Sequence, residues 1–148
     1  MLPGQADSAT LGYLGRALSL ELSAVQLYST QARIVEVWGL SDIAAKLSNE
    51  ASEEMAHADR IIGRMIALGV VPNASQLRPV RLGSNVHELL RYNYEFENEV
   101  ISLYTKAKEH CAFVGDNDSR LFFEGLLAEE QAHAQSIAQW MNQINQPK

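Results

Sequence analysis

Apolar residues recur every three or four positions in four long stretches of this chain, the pattern of a helix that buries one face. In the first, Leu11, Leu14, Leu18, Val25, Tyr28, Ala32 and Val35 carry the stripe, and in the second Ile43, Leu47, Ile61 and Leu68 do. The third reads Val86, Leu90, Val100, Tyr104, Ala107 and Cys111, and the fourth Phe123, Leu126, Ile137, Trp140 and Ile144. The spacing predicts helices over about residues 8–37, 42–68, 85–113 and 118–144. Between the first two, Gly39 followed by Ser41 and Asp42 makes a glycine stop and a polar start; Gly115 followed by Asp116, Asn117 and Asp118 does the same between the last two. Residues 70–84 contain Pro72, Asn73, Pro79 and Gly83, which exclude helix and suit a crossover joining two antiparallel hairpins along a four-helix bundle. Asn85 and Glu88 read as a capping pair opening the third helix.

The stripes are apolar except where carboxylates and imidazoles interrupt them. Glu21 lies in the first stripe, Glu50, Glu54 and His57 in the second, Asn93 and Glu97 in the third, Glu130 and His133 in the fourth. Two short runs nearly repeat each other: Glu53-Glu54-Met55-Ala56-His57 and Glu129-Glu130-Gln131-Ala132-His133 each set a carboxylate and an imidazole one helical turn apart. Glu21 stands 33 positions before Glu54, and Glu97 stands 33 before Glu130. In a hairpin, residues equally far from the turn share a height, and both midpoints fall at the glycine turns. Four ligand-bearing turns are therefore expected at one level.

Four carboxylates in an apolar stripe need a counter-charge, because desolvation costs several kcal/mol per ion even after relaxation. Few Lys or Arg occupy stripe positions near them. Two divalent cations against four carboxylates, with two neutral imidazoles completing the shell, balance the charge, whereas a satisfied polar core does so poorly. Oxygen-rich ligation with one imidazole per metal favours iron, with manganese possible, over the Cys/His tetrahedra of structural zinc.

The remainder of the composition narrows the class. One domain is expected, residues 1–148, since 148 residues at 47% hydrophobic content bury a sizeable core. A net charge of −6 gives no basic stripe for nucleic acid, and no apolar run is long enough for a membrane span. A single cysteine, Cys111, forms no internal disulfide, and Met1 to Gln5 lack the basic start and apolar run of a signal peptide, so a reducing cytoplasm is the expected compartment.

On these residues the chain resembles the bacterioferritins over nearly all its length. The matching stretches are Glu21-Leu22 with Gln26-Leu27-Tyr28, Trp38-Gly39-Leu40 at the turn, Glu54-Met55-Ala56-His57-Ala58-Asp59-Arg60, and Glu130 to His133. One Glu from each of two helices plus Glu-x-x-His from each of the others is the arrangement already known for ferritin-like carboxylate proteins. The resemblance implies an all-α, ferritin-like four-helix bundle in which Glu21, Glu54, His57, Glu97, Glu130 and His133 form a ferroxidase centre for two irons, with Glu54 and Glu130 bridging. It implies Fe(II) oxidation by O2 or H2O2 and deposition of ferric mineral inside a homo-oligomeric shell built from twofold dimers. It also implies a haem shared between two subunits, each giving Met55 as an axial ligand. One residue beyond Glu54 is about 100° round the helix, so Met55 should leave the core, beside Ala51, Ser52, Ala58 and Asp59. A methionine filling a dimer contact is the plainer alternative.

The chain departs from the family at its end, where Lys148 leaves no room for the usual fifth helix, so a 24-subunit shell, a 12-subunit shell or a dimer all stay open. A family histidine of the inner surface corresponds to Asn49. Tyr28, like Tyr104, lies two turns from a ligand and points inward, as a source of electrons in the family's manner or as a core tyrosine with a hydrogen-bond partner. Glu53 and Glu129 are either acceptors that orient the histidines or solvated acids, Glu50 is placed to relay iron, and His87 and His110 read as surface residues. The alternative function is a haem or di-iron redox protein, peroxide-reducing and rubrerythrin-like, that stores no mineral.

Overall fold

The computed structural model describes residues 6–73 and 76–145, so Met1 to Gln5 and Lys148, on which the readings of the two chain ends rest, lie outside the described residues. Among the described residues there are four α-helices and no strand: α1 (Ser8–Val37), α2 (Ser41–Ala67), α3 (Val86–Val114) and α4 (Asn117–Asn145). They form two compact units, α1 with α2 up to Leu82, and α3 with α4 from Gly83 onward.

In the first unit α1 and α2 fold back on one another across a three-residue turn. Asp7 caps α1, its carboxylate accepting from Thr10 N at 2.7 Å. At the turn Gly39 takes φ 84°, a left-handed conformation that a Cβ disfavours, and Leu40 N reaches back to Val35 O at 2.9 Å. The expected polar start sits one position differently: Leu40 is the N-cap of α2 and makes no side-chain cap bond, while Ser41 is already helical and Asp42 lies in the first turn, where the helix dipole favours it. Leu14, Leu18, Tyr28, Val35, Leu47 and Ile61 fill the buried face, each at most 2% exposed. The crossover is pinned to α1 by two buried polar side chains: Ser23 Oγ accepts from Arg78 N at 2.9 Å while donating to Ser19 O at 2.7 Å, and Gln31 Nε2 donates to Arg81 O at 3.3 Å.

The second unit repeats the design with cleaner punctuation. Gly115, at φ 76°, is the C-cap of α3, with Asp116 N bonding Cys111 O at 2.9 Å; Asp116 then accepts from Ser119 N at 3.1 Å to open α4. Leu90, Val100, Tyr104, Ala107, Cys111, Phe123, Leu126 and Ile137 are fully buried, and the Tyr104 and Phe123 rings lie 6.1 Å apart. Ile144 departs from its stripe and is exposed, one residue before the end of α4 where little remains to cover it. Asn85 caps α3 through Glu88 N at 2.9 Å, and the Glu88 carboxylate returns to Ser84 N at 3.2 Å rather than to the cap residue itself.

Because this cap satisfies two backbone donors at the entry of α3, Asn85→Ala is expected to cost about 1 kcal/mol and lower the melting temperature by roughly 2–4 °C. Thermal denaturation followed by far-UV circular dichroism measures it.

Candidate metal centre

Each hairpin gathers one carboxylate from its first helix and a carboxylate-imidazole pair from its second. In the first unit, Glu54 and His57 are three residues apart on α2 and so share a face, and Glu21 approaches from α1. Glu21, Glu54 and His57 each bring a ligand atom within 4.8 Å of the others, with His57 Nδ1 at 3.5 Å from Glu21 Oε2 and 3.7 Å from Glu54 Oε1. In the second unit Glu97, Glu130 and His133 meet the same limit, and His133 Nδ1 lies 3.1 Å from Glu97 Oε1 and 3.9 Å from Glu130 Oε2. Corresponding members of the two triads are 76 positions apart, as are Tyr28 and Tyr104.

All four carboxylates are buried, at 0–1% exposure, and the two imidazoles nearly so, at 6 and 9%. Such a triad holds two negative charges and one neutral nitrogen donor, the complement of one divalent cation in an oxygen-rich shell. The Glu97 carboxyl shows the cost of burial. Burial raises its pKa well above the ordinary value, and the hydrogen-bonded, like-charged Glu130 adds to the rise against the opposing pull of His133.

The remaining residues singled out in the sequence fall into three environments. Tyr28 and Tyr104 are fully buried, Glu50 is half-buried one turn before Glu54, and Asn49, Glu53, Glu129 and His87 are exposed, while His110 is half-buried rather than at the surface. Glu53 makes no hydrogen bond or ion pair among the described residues, so it does not orient an imidazole here. Met55 leaves the core as expected, 44% exposed.

Met55 closes one end of a groove of about 350 Å³ on the outer face of the first hairpin, with Val25, Ser29, Ala32, Arg33 and Glu36 from α1 and Ser48, Ala51 and Ser52 from α2. Of its expected neighbours Ala51 and Ser52 line this groove, whereas Ala58, three residues on, turns into the core and is fully buried. The α1 wall was missed in the sequence because three of its five residues, Ser29, Arg33 and Glu36, lie off the apolar stripe. Its trace is a polar run at helical spacing, Ser29, Arg33 and Glu36, beside the stripe residues Val25 and Ala32.

A family model described as a ferritin-like domain matches residues 11–146. A bacterioferritin of Rhodobacter capsulatus is 38% identical over 129 residues, 87% of this chain and 80% of that protein. One of Brucella melitensis is 38% identical over 120 residues, 81% of this chain and 74% of that one. A bacterial ferritin of Synechocystis is 35% identical over 127 residues, covering 85% and 81%. Among solved structures, the R. capsulatus bacterioferritin, with a metal-free dinuclear site and a haem iron in a crystallographic special position, aligns with TM-score 0.90 at 36% identity over 93% of this chain and 86% of that one. The fold class is thus the all-α, ferritin-like four-helix bundle.

A carboxyl whose pKa is raised by folding binds a proton that the unfolded chain has released, so its stabilising effect is lost as pH rises from the unfolded value through the folded one. Glu97→Gln cannot ionise. The metal-free variant is expected to melt roughly 2–4 °C above its parent near pH 7, the equivalent of about 1 kcal/mol for a chain this long, with the gap closing as pH falls toward the ordinary glutamate range. Melting curves of both metal-free proteins across that range check it; equal melting points at neutral pH would show that this carboxyl carries no burial penalty.

Proposed function

The chain belongs to the ferritin-like domain family and, within it, to the bacterioferritins, and from that premise we propose that it oxidises Fe(II) with O2 or H2O2 and stores the ferric product in a homo-oligomeric shell. The observation that carries this reading is the pair of buried Glu, Glu, His triads, each offering the charge and donor set of one divalent cation. In this proposal Glu21, Glu54 and His57 would hold one Fe(II) and Glu97, Glu130 and His133 the other. Two Fe(II) ions bound there each release one electron, together reducing O2 to H2O2, or H2O2 to water, with uptake of two protons.

The chain's own part is binding, charge balance and proton handling. Neutral imidazole and ionised carboxylate are the ligating forms, so metal binding competes with protons at these residues. Glu50, half-buried one turn from Glu54, is the acid placed to pass Fe(II) inward from the surface. Tyr28 and Tyr104, buried two turns from Glu21 and Glu97, lie within the same units as those ligands and are assigned to electron supply and to core packing respectively. Among the described residues no helix is long and apolar enough to cross a membrane, and we assign the reaction to the cytoplasm, where Cys111 stays a thiol.

Haem is the second group the family implies. The residues of the first hairpin fit it: a partly exposed thioether, a soft donor for haem iron, opens into a groove within the usual range of small-molecule sites, about 300–1,000 Å³. Ser52 donates to Ser48 O at 3.2 Å, so its hydroxyl is satisfied within the helix and makes no demand on a flat apolar ring. Met55 from each of two subunits would hold the haem iron, and the group would supply one-electron redox chemistry at the dimer contact.

Glu54→Ala combined with Glu130→Ala is expected to slow Fe(II) oxidation by on the order of 100-fold, at least the loss seen when an outer-shell partner of a metal site is removed, while the helical content stays unchanged. Stopped-flow oxidation at the parental rate would refute the ferroxidase reading. For the haem, Met55→Leu should abolish the bis-thioether spectrum yet leave Fe(II) oxidation intact, because Met55 and Glu54 lie on different faces of α2. Reconstitution with haem should saturate at one ring per two subunits in the parent; a stoichiometry of one per subunit would assign Met55 to packing.

A further inference from the structure

The groove beside Met55 is charged at its other end. Along α1 it runs from Val25 to Glu36, about 16 Å at the rise of an α-helix, and its one cation among the described lining residues is Arg33. Nothing in the core needs that guanidinium. Its side chain is 83% exposed, and its only partner among the described residues is Glu36, at 3.3 Å. An ion pair this exposed contributes little, about 0–1 kcal/mol, and is readily shared or exchanged. A guanidinium carries five donors in a planar fork, so Arg33 can keep Glu36 and take a second carboxylate.

Haem brings what this end of the groove lacks. The ring is a flat apolar body with two carboxylates on one edge, and the groove is a thioether and small side chains at one end with a cation at the other. Two subunits that each donate Met55 also bring two copies of Arg33, matching two axial positions and two propionates.

We propose that Arg33 binds a haem propionate, one per subunit, with Glu36 holding the guanidinium in the groove. The assignment rests on the haem reading above. It makes Arg33 the residue that sets affinity and ring orientation, while Met55 sets the ligation of the iron.

The test is a Soret titration of the whole protein and its Arg33→Gln variant with two probes, haem and haem dimethyl ester, in which both carboxylates are masked. The variant should bind haem about tenfold more weakly, the measure of one partly hydrated charge-assisted contact, with an unchanged bound spectrum, and should bind the ester as the parent does. Parental haem affinity should fall with added salt more steeply than that of the variant, and Arg33→Lys should restore that salt dependence. If Arg33→Gln binds haem as tightly as the parent, or loses affinity equally for both probes, Arg33 is not a propionate partner while the haem site stands. If the parent gives no saturable titration with haem, the haem reading fails and this assignment falls with it.

Discussion

Burying a carboxylate in an apolar helical stripe is the constraint to which the rest of this molecule answers. Glu21, Glu54, Glu97 and Glu130 are at most 1% exposed, and each carries a desolvation penalty of several kcal/mol when ionised. The raised Glu97 pKa is one response, since burial and the neighbouring Glu130 disfavour its charged form. Pairing every two carboxylates with one histidine is the other, because such a triad is neutralised by one divalent ion. Stability and metal binding are thereby coupled: whatever makes the metal-free hairpins uneasy is what drives the ion in.

The hairpins act as rulers for this chemistry. A left-handed glycine at φ 84° or 76° reverses the chain at a fixed residue, and from that point equal counts along the two helices lead to equal heights. That is why a 33-residue interval in each half brings a Glu onto the level of a Glu-x-x-His. The two halves match at the ligands, at the buried tyrosines Tyr28 and Tyr104 and at the turn glycines Gly39 and Gly115, but not throughout. Seventy-six positions on from Met55 stands Gln131, and from Glu50 stands Leu126, so the thioether and the extra acid belong to the first hairpin alone.

On α2 two functions share one helix without sharing a face. Glu54 and His57 point into the buried stripe, while Met55, rotated by about 100°, opens onto a groove whose floor is Ala32 and Ala51. Substitutions on one face should therefore leave the other largely alone, since the two are separated by the helix backbone rather than by distance.

The sequence by itself determined the helical class, the two hairpins and the six candidate ligands, because each rests on short-range periodicity: stripes of three and four, a glycine at each reversal, and a carboxylate one turn from an imidazole. Met55 leaving the core was equally legible from a single helical step. Tertiary structure decided what periodicity does not encode. It showed that Leu40, not Ser41, precedes α2, that Glu88 reaches Ser84 and that Ile144 is left uncovered, since caps and ends depend on local geometry beyond the stripe. It turned Ala58 inward and Glu53 outward, and it paired Ser29, Arg33 and Glu36 of α1 with Ser48 and Ser52 of α2 to make a groove. Small polar residues off the apolar stripe carry no signal in one helix. They become a site only when a second helix lies alongside and the missing side-chain volume on both is added up.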